Sequence, residues 1–345
     1  MARTDRPRPA LGRRLRIVLQ GAGAVGARAA RQLASTDGLE QLVVTDAVPA
    51  RAEAVADALG EPARAEAWGP DALERATVAL LASPGDQRQA AEDALDHGAA
   101  VVSASDDLFV VRRLLDLDPE ARERGRPVVV GAGFSPGLTC ILARHAAAAF
   151  DTVDEVHVAK VGAGGPACAR QHHDALGAEA VDWRDRAWVR RRAGTGRELC
   201  WFPDPVGAVD CYRAALPDPV LLVPAFPGVE RVTARIGANR RDRLTARLPM
   251  MRRPHPEGRA GAVRVEVRGW RGRTRDVRVL GAMDRPAAAA GTVAAVAAWY
   301  AATDRVLRAG AGGLAELVEP VPFLGELARR GVRAAVFEGS GRRVS

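Results

Sequence analysis

Lysine is almost missing from this chain. Lys160 is the one lysine among 345 residues, although lysine and arginine together number 50. Arginine therefore supplies nearly all the positive charge behind a net of +8. The arginines are scattered, and the aromatic residues, only 4% of the chain, do not interleave with them in one stripe. That pattern argues against nucleic acid as the main partner. The general excess of arginine, alanine and glycine fits GC-rich coding. A basic protein still steers anionic substrates toward itself. Cysteine is scarce too. Cys140, Cys168, Cys200 and Cys211 are widely spaced, form no metal-type pair and suit a reducing compartment. Cys140, Cys200 and Cys211 read as packing residues. No apolar run approaches the ~20 residues of a membrane span. The start, MARTDRPRPALGRR, lacks the apolar centre of a secretory signal. The expectation is a cytoplasmic protein with no membrane partner, no metal, and a flexible basic tail over 1–14.

What is present is concentrated near the start. The stretch LRIVLQGAGAVGARAARQLA, 15–34, joins an apolar strand to an alanine-rich helix through a glycine turn. Gly21 permits the tight turn, Gly23 lets backbone approach a pyrophosphate, and Gly26 lets helix and strand pack closely. The free N–H groups of the helix start, Ala24 and Val25 among them, then face an anion. A second apolar run, 41–45, ends at Asp46, twenty residues past Gly26, where a carboxylate meets an adenosine ribose. Asp46 favours NAD by repelling a 2′-phosphate, while Arg51 leaves room for NADP. Asp46 as a simple helix cap is the alternative.

Strand-like and helix-like segments alternate through the first half, the mark of a doubly wound parallel sheet. Strands are expected at 63–68, 77–81, 99–102 and 128–130, with helices at 49–59, 85–97, 108–124 and 138–150. In such sheets ligands bind outside the carboxyl ends of the strands. Ser83, Pro84, Ser103, Ala104, Gly133 and Phe134 therefore join the cofactor-binding set. Near 151 the pattern changes to alternation. Strands are expected at 153–161, 197–202, 220–223, 231–236, 243–248, 262–268 and 274–280, suggesting an antiparallel sheet. The resulting plan is α/β: a Rossmann domain over 15–148, an inserted α+β substrate and dimerisation domain over 149–281, and helices over 282–345 that return to the first domain.

GAGAVG after the first strand, VVVGAGFSPGLTCILA at 128–143 and the closing FLGELARRGVR at 323–333 resemble the saccharopine dehydrogenase and reductase family. Its glycine-phenylalanine-x-proline-glycine turn stands here as Gly133-Phe134-Ser135-Pro136-Gly137. The resemblance is specific at the two glycine turns and loose across 151–281. It implies an NAD(P)-dependent oxidoreductase that moves a hydride at a carbon–nitrogen bond of a small, carboxylate-bearing substrate, working as a homodimer. An imine accepts hydride readily when protonated, so such a site needs an acid.

Five residues are candidates for that acid or its support. Lys160 ends a strand and precedes a second glycine-rich turn, whose Gly164 and Gly165 could hold a substrate carboxylate. A solvated lysine beside a flexible loop is the bland alternative. His172 and His173 follow on a helix, where neighbours point about 100° apart, so one faces a cleft and the other does not. Asp210 and Tyr212 lie beside Arg213, a carboxylate clamp candidate. Trp183, Trp188 and Trp201 wall a pocket or pack in the core. The run Arg240-Arg241-Asp242-Arg243 reads as a solvated strand face. Two rival functions remain open from sequence: a dehydrogenase acting on a C–OH group, and a nucleotide sensor without turnover.

Overall fold

A computed structural model describes residues 14–250, 254–256 and 258–337. The expected tail lies outside the described residues apart from Arg14, and so does 338–345 of the returning segment. Strands β1 (Leu15–Gln20), β2 (Leu39–Thr45), β3 (Ala63–Ala65), β4 (Val78–Leu81), β5 (Ala100–Ser103) and β6 (Pro127–Val130) form one parallel sheet in the order β6-β5-β4-β1-β2-β3. The side chains of the central strands β1, β4, β5 and β6 are mostly buried on both faces, as Ile17, Val18, Leu19, Leu80 and Val101 illustrate, while the edge strand β3 is not. This explains why the central strands read as continuous apolar runs without alternation. The order reverses between β1 and β4, which opens a crevice at their carboxyl ends.

The second sheet is built on β7 (Thr152–Val161). It adds β8 (Glu179–Arg184), β9 (Ala187–Arg192), β10 (Glu198–Trp201), β11 (Ala208–Arg213), β12 (Arg231–Gly237), β13 (Gly261–Arg271) and β14 (Thr274–Asp284). The sheet is mixed, where an antiparallel one was expected, because β12 runs parallel to β7. One face alternates inward with Val156, Val158, Lys160, Val263, Val265 and Val267, all buried. Its other face carries a ladder of ion pairs, including Arg264–Glu266 and Arg275–Glu155.

Two expected strands are helices. Asp218–Leu222 replaces 220–223, because Pro219 favours the first helical turn. Arg240–Thr245 takes the place of 243–248 and of the solvated strand face. Asn239 accepts from the Asp242 N–H at 2.9 Å, and Asp242 returns the bond to the Asn239 N–H at 3.1 Å, a capping box. The β8–β9 hairpin carries no turn signal in the sequence, since its turn residues Asp185 and Arg186 take φ of 52° and 60° without any glycine. On that hairpin Trp183 and Trp188 meet edge to face at 4.9 Å. Trp188 and Trp201 are exposed, so neither is a core residue.

After the second sheet the chain folds back against the first. The helix Pro286–Ala302 is buried on nearly every side between the helix Ala24–Ala34 and strands β4 and β5. That burial fits its lack of a polar face. β15 (Gly310–Gly313) then pairs with β6 to complete a seven-stranded sheet, and β16 (Ala334–Phe337) pairs with β14. Close approach of the two helices depends on Gly291. A Cβ there would lie 2.6 Å from Arg28 Cβ and 2.8 Å from the Ala29 nitrogen. Gly291→Ala is therefore expected to lower stability by about 1–3 kcal/mol through overpacking. A denaturant midpoint equal to that of the unaltered protein would contradict this packing.

Candidate active site

The turn after β1 is shaped by contacts that only glycine permits. Gly21 has φ 103°, and a Cβ on it would meet the Ser83 nitrogen at 2.6 Å. A Cβ on Gly26 would lie 1.8 Å from the Gly21 carbonyl oxygen. Gly23, by contrast, faces open space, with nothing within 4 Å of its Cβ position. No side chain caps the helix Ala24–Ala34, so its first N–H groups are free to meet a ligand. Asp46 closes the other side. Its Oδ2 accepts from the Ala22 N–H and its Oδ1 from the Val48 N–H, both at 2.8 Å. Arg51 is largely exposed, 4.0 Å from Asp46. A cradle with an open Gly23, free helix N–H groups and a fixed carboxylate fits the pyrophosphate and adenosine ribose of a dinucleotide.

Ser83 and Ser103 turn inward and link neighbouring loops. Ser83 donates to Gln20 at 2.9 Å, Gln87 donates to the Ser83 carbonyl at 2.7 Å, and Ser103 donates to Gln87 at 2.6 Å. Pro84 is exposed. Ala104, Gly133, Phe134 and Val25 line a narrow cleft that continues from the cradle toward the second sheet.

Lys160 forms the far wall of this cleft. Its side chain is 2% exposed, and the ammonium donates to the Ser135 carbonyl at 2.9 Å. It also lies 3.4 Å from Asp106 Oδ2. Asp106 comes from the loop after β5, and the same oxygen is 2.8 Å from His172 Nε2 and 3.3 Å from Cys168 Sγ. Burial acts to raise the Asp106 carboxyl, but Lys160 and the His172 and Cys168 bonds outweigh it and hold it well below the usual carboxylate range. An ionised Asp106 only accepts, so His172 carries its proton on Nε2. Burial first, and then the charge of Lys160, lower the pKa of His172 and favour the neutral ring. Burial and the Asp106 charge push the Cys168 thiol far above its ordinary value, so it is no nucleophile.

Asp106, Cys168 and His172 are metal-ligand types with ligand atoms within 4.8 Å of one another. The neighbouring Lys160 ammonium, 3.4 Å from Asp106, opposes a dication there.

The other expected residues lie elsewhere. His173 points away from His172 and meets the Leu248 carbonyl at 2.8 Å. Asp210 pairs with Arg197 at 2.9 Å, in a separate surface pocket. Tyr212 lies under the Arg243 guanidinium, 4.1 Å from its ring centre. Arg213 donates to Asp182 at 3.2 Å. Gly164 and Gly165 pack on the dinucleotide cradle. Gly164 sits against Ala287 and Val25, and a Cβ on Gly165 would meet Ala24 Cβ at 2.8 Å. The structure thus groups Lys160 with His172 and adds Asp106 and Cys168. The one-turn spacing of Cys168 and His172 was the available signal. Asp106 carried none beyond its place after a parallel strand.

The fold and cleft define a dinucleotide-type α/β protein carrying a second, mixed-sheet domain. Its structure is similar to apo saccharopine dehydrogenase (L-Glu forming) from Saccharomyces cerevisiae, with a TM-score of 0.69 and 16% identity, covering 94% of this chain and 100% of that one. GenD2 from gentamicin A biosynthesis in complex with NAD matches at TM-score 0.49 and 15% identity, over 96% and 99% of the two chains. The Corynebacterium glutamicum DAP dehydrogenase in complex with DAP matches at 0.48 and 16%, over 92% and 99%. At such scores these two add nothing to the fold assignment. No protein-family model and no curated protein sequence matches the chain.

Asp106 gives the cluster a pH signature. Its folded-state pKa lies below that of an unfolded aspartate, about 3.9. It therefore contributes stability above that value, which is lost as pH falls through the folded-state value. In Asp106→Asn the stability deficit against the unaltered protein should shrink as denaturant midpoints are measured from pH 7 down to pH 3. Parallel pH curves for the two proteins would refute the assignment.

Proposed function

We propose that the protein is an NAD(P)-dependent oxidoreductase acting at a carbon–nitrogen bond of a small, carboxylate-bearing substrate. The observation that carries the reading is Lys160: the chain's one lysine is buried in the wall of the cleft beyond a dinucleotide cradle. Everywhere else the chain uses arginine, which cannot release its proton near neutral pH. The amides around Gly21–Gly26 would hold the pyrophosphate, Asp46 the ribose, and Ala104, Gly133 and Phe134 the nicotinamide end. A nicotinamide bound there supplies or accepts the hydride. Lys160 donates a proton to the substrate nitrogen in reduction and recovers it in oxidation. Asp106 orients the ammonium and, with His172, forms the path by which that proton is replaced. Gly162, Gly164 and the apolar Phe134, Pro286 and Ala290 narrow the cleft and exclude water. The likeness to saccharopine dehydrogenase and the turn Gly133–Gly137 support carbon–nitrogen chemistry over the C–OH alternative.

In the same reading the protein is a cytoplasmic homodimer. No helix among the described residues is long and apolar enough to cross a membrane. The outer face of the second sheet, where Trp270, Val277 and Met283 are exposed, would meet the second copy. Sedimentation at monomer mass would remove the dimer from the reading.

The experiment is coenzyme binding followed by turnover. Protein fluorescence titrated with NADH and NADPH should show binding, tighter for NADH, and Asp46→Ala should narrow that preference. A screen pairing 2-oxo acids with amino acids, against a panel of hydroxy acids and sugars, should give amine-dependent NAD(P)H oxidation. Lys160→Met should then lose about 10²–10⁴-fold in turnover with NADH binding unchanged. Absence of coenzyme binding sinks the proposal. Binding without turnover on any substrate favours a sensor, and hydroxy-acid or sugar turnover favours C–OH chemistry.

A further inference from the structure

We infer that Asp218 is a positioning residue for Lys160, a second buried carboxylate that is held by Ser135 and Thr139 and acts on the ammonium through Ser135. Asp218 is fully buried, at the start of the short helix Asp218–Leu222. The Ser135 hydroxyl donates to its two oxygens at 3.1 and 3.2 Å, and the Thr139 hydroxyl donates to Oδ1 at 2.6 Å. The same Ser135 offers its carbonyl to Lys160 at 2.9 Å. One residue thus touches the acid through its side chain and the ammonium through its backbone.

A carboxylate sealed from water is costly unless charge and hydrogen bonds compensate it. Two hydroxyls supply the hydrogen bonds. Lys160 supplies the charge that bears on Asp218, although burial still leaves its carboxyl above the usual range. Several titratable groups lie around Lys160 and Asp218, Glu316 among them through its effect on Cys140. Asp106 comes from the loop after β5, His172 and Cys168 from the helix Pro166–Gly177, and Cys140 from the helix Leu138–Ala147. Burial and the nearby Asp218 charge push the Cys140 thiol up, so it stays neutral. Lys160 therefore has Asp106 beside it at 3.4 Å and is tied to Asp218 through Ser135.

The arrangement gives Asp218 two effects. It clamps the turn Gly133–Gly137, whose Gly133 and Phe134 line the cleft. Its negative charge favours the ammonium over the free amine. The consequence for chemistry rests on Lys160 being the proton donor; the charge relation itself does not.

Because Lys160 is the chain's one lysine, labelling with ¹³C,¹⁵N-lysine yields a single side-chain signal whose shift follows its protonation directly. The coenzyme-free full-length protein is titrated, so no substrate is needed. In Asp218→Asn, which keeps the shape and loses the charge, the Lys160 midpoint should fall by about one pH unit relative to the unaltered protein. Ser135→Ala keeps the carbonyl and removes the hydroxyl, and should move the midpoint the same way by less. Asp182→Asn, which alters a buried acid paired with Arg235 instead, should leave it unchanged. A midpoint unmoved in folded Asp218→Asn overturns the inference. If that variant does not fold, an unmoved midpoint in Ser135→Ala does so. The Lys160→Met turnover assay fails or succeeds separately, so loss of the oxidoreductase reading and loss of this one are told apart.

Discussion

The site is organised around one buried ammonium. Lys160 ends the central strand of the second sheet, yet its partners, Asp106 and the Ser135 carbonyl, belong to loops at the carboxyl edge of the first. The charge is removed from water and must be met by protein oxygens, because an isolated buried charge is far too costly. That requirement draws loops of the first sheet against the end of β7. It also explains why Asp106 leaves the side of Asp107, which caps the next helix, and turns inward.

The glycine turns serve the same end by different means. After β1, glycine is required because strand, loop and helix backbones come within contact of each other. After β7, Gly164 and Gly165 bring the second domain down on Ala24, Val25 and Ala287. The two turns meet, and the lysine that precedes the second turn is delivered to the cleft beyond the first.

Much of this was legible in the sequence. Apolar runs marked five of the seven strands of the first sheet, since strands buried on both faces need no alternation, and β3, ARA, followed only from the strand–helix rhythm. β15, GAGG, carried no such signal; it is a strand only because β6 offers it an edge. In the second domain, short alternating stretches such as 243–248 also match a helix, and the capping box at Asn239 decides between them. Lys160 and His172 stood out by rarity and by chemistry. Asp106 and Asp218 did not, because a carboxylate in a loop is ordinary until a distant lysine is folded against it. His173, Asp210, Tyr212 and Arg213 had suitable chemistry but are engaged by Leu248, Arg197, Arg243 and Asp182. Sequence proximity to a glycine turn could not reveal those local partners.

The returning helix has a consequence for the order of assembly. Pro286–Ala302 covers strands β4 and β5 and packs on the first helix, although some two hundred and fifty residues separate it from that helix. During synthesis the amino-terminal sheet must emerge with one greasy flank bare until the polypeptide has been extended past that helix. A ribosome pausing within the second domain would leave this flank available to chaperones, and the dinucleotide half matures only when the carboxyl-terminal third arrives.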